Sequence, residues 1–172
     1  MTSVYREENY GGERRFACDA MLGRLARWLR LLGYYTFYSP KIRDDELLEV
    51  CIREDLNLLT RDVDFFKRAT SYGLKVKLIQ KNSFEEQFFE VAGFFGLNLS
   101  ISPENSRCPE CNGLIQSVDK EEIKNKVSAN TLDSYNAFWI CTNCGQVYWR
   151  GRMWRSMTRI VEKTKEKLKR GV

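Results

Sequence analysis

Four of the six cysteines fall into two CxxC pairs, and their spacing is the strongest chemical signal in this 172-residue sequence. Cys108 and Cys111 form the first pair, Cys141 and Cys144 form the second, and 29 residues separate the two pairs. A glycine follows each pair within two residues, which lets the backbone turn around the sulfurs. This arrangement is typical of a tetrahedral structural zinc site. A redox dithiol and an iron–sulfur cluster are the competing interpretations, but a redox CxxC usually occurs singly.

Aspartates follow three segments that have the composition of β-strands. Asp19 follows RFAC, Asp44 and Asp45 follow YYTFY across a short loop, and Asp62 and Asp64 follow LNLLT. The carboxyl ends of parallel strands share one edge of a sheet, so we expect these side chains to gather there. Clustered carboxylates repel one another unless a divalent cation relieves the repulsion, and ligands that are all oxygen suit Mg²⁺ or Mn²⁺. Such a metal can activate water for phosphodiester cleavage, so the complete lack of histidine is no obstacle.

The same aspartates have a structural interpretation. Asp19, Asp44 and Asp62 each precede a segment with helical periodicity, and an aspartate N-cap stabilises a helix by about 1 kcal/mol relative to alanine. One carboxylate can cap a helix with one oxygen and bind a metal with the other. Capping and metal binding therefore both remain open for these three residues.

The elements that must position these groups alternate between strands and helices over the first hundred residues. This alternation predicts a small α/β domain with a parallel sheet of about four strands. In its first helix, 20–32, leucines form the inward face, and Arg24, Arg27 and Arg30 are predicted on the opposite, outward face. We divide the chain into a flexible lead-in (1–15), the α/β domain (16–102), a zinc-ribbon module (103–157) and a basic C-terminal helix or tail (158–172).

Aromatic and basic residues alternate at the end of the zinc-ribbon module. Hairpin-like runs, LIQSV and QVYWR, follow the two cysteine pairs, and five residues at the second run could stack on bases and hold phosphates: Trp149, Arg150, Arg152, Trp154 and Arg155. The alternative is that the aromatic residues form the core of a module that has little else to bury. We assign Trp139 to that core and leave Trp149 and Trp154 open.

The net charge of +5 is concentrated near the C-terminus. Between Arg150 and Val172 there are nine lysines and arginines but two glutamates, a balance that favours a polyanionic partner such as nucleic acid. No apolar run approaches the roughly 18 residues that a membrane span requires, so no membrane partner is expected. The N-terminal segment lacks the apolar stretch of a secretory signal, and paired CxxC motifs indicate a reducing compartment, so we expect a cytoplasmic location.

Together, the motifs DAMLGRLARWLRLLG, DDELL and LLTRDVDF and the two CxxC pairs resemble the Mut7-C ribonuclease family, from Phe16 to Met157. That family is described as a PIN-like nuclease domain with a C-terminal zinc ribbon. The resemblance implies a metal-dependent (endo)ribonuclease that binds Mg²⁺ or Mn²⁺ as well as structural Zn²⁺, with the choice between endonucleolytic and exonucleolytic cleavage left open. It implies catalytic roles for Asp19, Asp44, Asp62 and Asp64, of which the first three would bind Mg²⁺ or Mn²⁺, and zinc binding by Cys108, Cys111, Cys141 and Cys144. Whether Asp45 or Glu46 also joins the site remains open, because neighbouring acids make the match to the family's motif ambiguous.

Two functions follow from these observations. The first is a ribonuclease in which Arg24, Arg27 and the aromatic and basic residues of the ribbon hold RNA beside the acidic site. The second is a non-catalytic RNA-binding zinc-ribbon protein that acts in RNA processing or ribosome assembly. A degenerate nuclease would be expected to lose one of its acids, whereas here the set is complete. Metal-dependent cleavage distinguishes the two functions.

Overall fold

The structure is a computed structural model that describes residues 14–171. The predicted lead-in, 1–15, therefore lies outside the described residues except for its last two positions. The first half contains β1 (Phe16–Cys18), α1 (Gly23–Leu31), β2 (Thr36–Phe37), α2 (Asp44–Glu54), β3 (Asn57–Thr60), α3 (Val63–Ser71), β4 (Val76–Leu78) and α4 (Phe84–Phe95). The second half contains β5 (Ile115–Val118), α5 (Lys120–Ile123), α6 (Ala129–Ser134), β6 (Phe138–Cys141), β7 (Val147–Trp149) and α7 (Arg152–Lys169).

The first four strands form a parallel sheet in the order β2-β1-β3-β4, which confirms the predicted α/β fold. From β1 the chain moves outward to β2, and it then crosses back to place β3 on the other side of β1. The direction of strand order therefore reverses between β1 and β3. In open α/β sheets, ligands bind beyond the carboxyl ends of the strands at such a reversal.

Apolar residues bury both faces of this sheet. Phe16 and Leu59 face the layer formed by α1 and α4, whereas Ala17 and Leu58 face α2 and α3. Adjacent residues of one strand point to opposite faces, so consecutive apolar residues in β1 and β3 fit a sheet that is covered on both faces. The result is a central sheet held rigidly between two helical layers, with its carboxyl edge open.

Helix α1 confirms the predicted leucine face and corrects the prediction for one arginine. A 3₁₀ turn, Ala20–Leu22, leads into this helix. Leu25 and Leu29 are buried against the sheet, as the periodicity predicts. Arg24 and Arg27 are exposed, but Arg30, predicted on the same outward face, is 4% exposed. The periodicity of one helix could not show this, because the group that covers Arg30 is the first cysteine loop of the C-terminal module.

Arg30 joins the cysteine loop to the edge of the sheet. Its Nε donates to the carbonyl of Thr36 in β2 at 3.0 Å, and its Nη1 donates to the carbonyls of Pro109 at 2.8 Å and Glu110 at 3.2 Å. The amide of Thr36 in turn donates to Oδ1 of Asn112 at 3.1 Å. The cysteine loop therefore supplies hydrogen-bond partners to the edge strand of the α/β domain.

Replacement of Arg30 by methionine is expected to lower the free energy of unfolding by about 2–4 kcal/mol, because buried carbonyls lose their donors. Arg27→Met is the matched control, since Arg27 contacts the same loop through an exposed ion pair to Glu110 at 3.4 Å. Such a pair contributes less than about 1 kcal/mol. Urea denaturation of the zinc-loaded protein measures both effects, and equal losses would contradict a structural role specific to Arg30.

The C-terminal module contains an antiparallel sheet, β5-β6-β7, that carries the cysteines on one face. Helices α5 and α6, in the segment between the two cysteine pairs, cover the opposite face. Helix α7 begins at Arg152 and continues through the boundary that we set between residues 157 and 158. Its buried residue Val161 joins the core formed by α1 and α4. Among the described residues, no helix is long and apolar enough to cross a membrane.

Candidate active site and zinc centre

The structure places Asp19 and Asp62 at the point where the strand order reverses. Asp19 directly follows β1, and Asp62 lies two residues after the end of the neighbouring strand β3. Asp44 is the first residue of α2, the helix that leads into β3. The two central strands and the helix between β2 and β3 therefore each contribute one of these aspartates.

Asp19 is 6% exposed and is held by three hydrogen bonds. Its Oδ1 accepts from the amide of Met21 at 2.9 Å, and its Oδ2 accepts from Oγ1 of Thr60 at 2.6 Å and from the amide of Arg61 at 2.7 Å. The predicted capping role is therefore present, and the same carboxylate also ties β1 to the end of β3. A carboxylate offers about four acceptor positions, so Asp19 retains capacity on Oδ1 for one further partner.

Thr60 is a site residue that the sequence analysis missed. It is completely buried, and its Oγ1 donates to Asp19 and accepts from the amide of Asp62 at 3.0 Å. One hydroxyl therefore positions the side chain of Asp19 and the backbone of Asp62 together. The only available sequence signal was a threonine at the end of an apolar strand, immediately before Arg61 and Asp62.

Asp62 begins α3 as its N-cap, with Oδ1 accepting from the amide of Phe65 at 2.7 Å. Its other carboxylate oxygen has no such role. The side chain of Asp64 is 96% exposed and pairs with Lys67 at 3.6 Å, one turn along the same helix. The catalytic role of Asp64 stays a prediction.

The three consecutive acids that open α2 have different environments. Glu46 accepts from the amide of Arg43 at 3.1 Å and so completes the cap of the helix. Arg68 of α3 pairs with Asp45 at 3.0 Å and with Asp44 at 3.7 Å. Glu46 therefore caps the helix, whereas Asp44 and Asp45 both face α3.

The pKa of Asp44 is raised, first by partial burial and then by the negative charges of Asp62, Asp19 and Asp45, while Arg68 opposes the shift. This repulsion shows that Asp44 shares the electrostatic environment of the two strand-end aspartates. A cation at this edge would stabilise the ionised form of Asp44 because it would offset the neighbouring negative charges.

The carboxylates do not form a closed cage. Within residues 14–171, the four cysteines are the only group of three or more potential metal ligands whose ligating atoms all lie within 4.8 Å of one another. Asp19, Asp44 and Asp62 are therefore not brought within that distance of one another. Such a looser set would suit Mg²⁺ or Mn²⁺ better than Ca²⁺, because Mg²⁺ usually binds through one or two carboxylates, several waters and substrate phosphates.

Two arginines, Arg24 and Arg61, lie beside the acidic edge, and their side chains make different contacts. Arg24, in the first turn of α1, is exposed, and its guanidinium lies over the ring of Phe84 at 4.1 Å. Arg61, between Thr60 and Asp62, donates from its side chain to Oδ1 of Asn82 at 2.8 Å, which holds it near the end of β4. Arg27 lies one turn further along α1 and is paired with Glu110 of the cysteine loop.

The four cysteines of the C-terminal module fit a tetrahedral zinc site. The sulfurs of Cys108 and Cys144 are 3.6 Å apart, and those of Cys111 and Cys141 are 3.4 Å apart. Tetrahedral zinc with bonds of about 2.3 Å holds its sulfurs about 3.8 Å apart, close to these values. The predicted role of one glycine also has a geometric basis, since a Cβ at Gly113 would lie 2.9 Å from the sulfur of Cys141.

The thiols of this cluster compete for ionisation. Burial and the three neighbouring thiols raise the pKa of Cys144 to about 12. Burial acts in the same direction on Cys111, but hydrogen bonds from Asn143, Gly113 and Cys141 outweigh it and lower the pKa of Cys111 to about 6. A divalent cation removes this competition because it stabilises every ligand as a thiolate.

Trp139 and Trp149 lie on opposite faces of the β5-β6-β7 sheet, and Trp154 lies in α7. Trp139 is buried on the cysteine face, as predicted, and the guanidinium of Arg150 lies 5.3 Å from its ring and 5.7 Å from that of Trp154. Trp149 is on the other face and packs near Tyr135 and Phe138. Arg152 and Arg155 are exposed on α7.

The fold and the two sites together define an α/β protein with a four-cysteine metal-binding module. The chain matches the family model of the Mut7-C RNAse domain over residues 14–161, and it therefore belongs to this family, which confirms the resemblance. No match was found among curated proteins or among solved structures. Membership of this family suggests a ribonuclease, and it implies RNA as a substrate or partner.

Proposed function

We propose that this protein is a ribonuclease of the PIN-like type that uses Mg²⁺ or Mn²⁺ at the acidic edge to hydrolyse RNA phosphodiester bonds. The observation that best supports it is the joint placement of Asp19 and Asp62 by Thr60 where the strand order reverses. Asp44 gives further support, because the charges of Asp62 and Asp19 contribute, after burial, to the rise of its pKa.

Each aspartate has a distinct part in this proposal. Asp19 is the rigid member, since its three hydrogen bonds leave its carboxylate no freedom to rotate. Asp62 and Asp44 are exposed and so are available to solvent and substrate. These three residues would hold the Mg²⁺ or Mn²⁺, whose chemistry is to activate a water and stabilise developing negative charge on the phosphate. Asp64 would act at the rim of the site.

Basic side chains of both domains would bind the RNA backbone. Arg24 is exposed beside the acidic edge, and Arg27 bridges to the cysteine loop. In the zinc module, Trp149 and Trp154 would stack on bases, and Arg150, Arg152 and Arg155 would hold phosphates. The zinc ribbon would thus aid RNA binding without taking part in the chemistry, because four thiolates leave zinc no open position. Paired CxxC motifs suit a reducing compartment, and we propose the cytoplasm.

The test is cleavage of end-labelled single-stranded and hairpin RNAs with Mn²⁺, with Mg²⁺ or with EDTA. Asp62→Asn is expected to reduce cleavage about a hundredfold or more, because it removes a negative charge from the reacting site. Its fold should be preserved, since asparagine caps a helix as well as aspartate does. The positions of the cleaved ends distinguish endonucleolytic from exonucleolytic action.

Asp64→Asn is the matched comparison for Asp62→Asn, since it removes the same charge two residues away on an exposed side chain. We expect a loss of less than about tenfold, because its contribution is screened by solvent. Equal losses would place Asp64 in the metal site itself. Salt-dependent RNA binding without any metal-dependent cleavage would overturn the proposal and favour the non-catalytic RNA-binding function.

A further inference from the structure

A groove of about 490 Å³ lies on the zinc module, on the face of its sheet opposite the cysteines. It runs between β7 and the segment that connects α5 to α6, and its volume is within the range of small-ligand sites. Eight residues line it, and the side chains of five carry the argument: Lys126, Ser128, Thr131, Gln146 and Trp149. The groove is separate from the acidic edge of the α/β domain.

Trp149 forms a fixed aromatic wall of this groove. Its ring lies 6.3 Å from that of Tyr135 and 6.4 Å from that of Phe138, and a Cβ at Gly151 would come within 2.9 Å of its Nε1. The indole is therefore held on one side by the module, and Trp149 is among the residues that line the groove. An aromatic ring that is already immobilised can stack on a base at little further entropic cost.

A nucleotide also carries a phosphate, and Lys126 supplies a positive charge that can bind it. Its side chain is exposed, and its ammonium lies at the groove, 3.5 Å from the position that a Cβ on Gly145 would occupy. Within residues 14–171 Lys126 forms no ion pair at 4.0 Å or less, whereas Lys124 is paired with Glu121 at 3.3 Å. Lys126 is therefore available to an anion without first breaking an internal contact.

Polar groups between the lysine and the tryptophan could read the edge of a base. Gln146 is exposed and donates from Nε2 to the carbonyl of Val147 at 3.2 Å, which leaves its Oε1 as an acceptor toward the groove. The hydroxyls of Ser128 and Thr131 share a hydrogen bond at 2.9 Å and retain further capacity. The groove therefore combines an aromatic ring, a lysine ammonium and polar groups with remaining hydrogen-bonding capacity. These groups complement the base and the phosphate of a nucleotide.

We propose that this groove binds one nucleotide of single-stranded RNA, with the base stacked on Trp149 and the adjoining phosphate held by Lys126. This inference rests on the proposed function for its choice of RNA, and it extends that function to a second subsite away from cleavage. Single-stranded RNA is required because a base paired within a helix does not expose its face to an aromatic side chain.

Fluorine NMR of the zinc-loaded full-length protein, labelled with 5-fluorotryptophan, tests the proposal. The chain has four tryptophans, and Trp149→Phe assigns the relevant signal. The probes are a single-stranded hexauridylate, uridine 5′-monophosphate and ribose 5-phosphate, without Mg²⁺ or Mn²⁺. We expect the hexauridylate and the nucleotide to shift the Trp149 signal saturably, and ribose 5-phosphate to leave it unchanged.

Lys126→Gln is expected to weaken hexauridylate binding several-fold and to reduce its salt dependence by about one phosphate contact, while the control Lys124→Gln has little effect. Neither change disturbs the core, since both side chains are exposed. An unmoved Trp149 signal, whether or not RNA binds elsewhere, would overturn the proposal. An equal response to ribose 5-phosphate would also overturn it, because a base would then be unnecessary.

Cleavage assays on the same preparations separate the two proposals. RNA cleavage without a shift of the Trp149 signal would overturn the proposal that the groove binds a nucleotide, but it would not contradict the proposed ribonuclease activity. A saturable Trp149 shift without metal-dependent cleavage would support the groove and overturn the catalytic site.

Discussion

Replacement of Asp44 by asparagine is expected to reduce RNA cleavage by about 10²–10³-fold, the usual cost of removing one charged group from a pre-organised site. The same change at Asp45 is expected to leave cleavage within about threefold of the original rate, as for a solvent-screened charge. The two residues are adjacent at the start of α2, and both pair with Arg68. We propose Asp44 rather than Asp45 as the catalytic residue, because the charges of Asp62 and Asp19 contribute, after burial, to the rise of the pKa of Asp44.

The pairing with Arg68 makes Asp45 a stringent control. Each substitution removes one partner of Arg68 and one negative charge from the first turn of α2, so changes in helix stability should be similar. Any difference in activity therefore reports the position of the carboxylate relative to the strand ends. Single-turnover cleavage with Mn²⁺ gives the chemical rate, and thermal unfolding checks that both variants fold.

Two results would contradict this prediction. Full activity in Asp44→Asn would show that α2 contributes no catalytic residue and that only the strand-end aspartates, Asp19 and Asp62, can act. Equal losses in both variants would indicate that the positioning of Arg68, rather than metal binding by Asp44, supports cleavage.

Replacement of Cys141 by serine is expected to abolish stoichiometric zinc binding and to unfold the C-terminal module. Structural zinc contributes about 10–16 kcal/mol of apparent binding free energy in small zinc domains, far more than such a module gains from its core. The core is small here: the cysteine face of its sheet buries Ile115 and Trp139 beside the cysteines themselves. Metal analysis is expected to give one zinc per chain before the substitution.

Cys51→Ala is the matched control, because Cys51 is also fully buried but lies in the core formed with α2. It should keep one zinc per chain and lose only the small contribution of a buried thiol, about 1–2 kcal/mol. Retention of zinc by Cys141→Ser, or its loss from Cys51→Ala, would contradict the assignment of the four ligands.

Loss of zinc is also expected to destabilise the edge strand of the α/β domain. The cysteine loop supplies the acceptor for the amide of Thr36 and two acceptors for Arg30. Hydrogen exchange at Thr36 is therefore expected to accelerate when zinc is removed, whereas exchange at Leu58 in the sheet centre should change little. The module would thus stabilise the edge strand of the nuclease domain as well as bind RNA.

Much of this architecture can be predicted from local sequence. The leucine face of α1, the parallel sheet and the four cysteine ligands all depend on spacing, and spacing is visible in a sequence. The positions of Asp19 and Asp62 at strand ends follow from the alternation of strands and helices. These features depend mainly on neighbours within a few residues, or on a ligand set that repeats one motif.

What only the tertiary structure decided involves contacts between distant parts of the chain. Arg30 has the spacing of an outward residue, but Pro109, 79 positions away, covers it. Thr60 reaches Asp19 across 41 positions, and no periodicity marks it as a site residue. Spacing predicts which face of an element a residue occupies, whereas only the assembled fold determines what lies against that face.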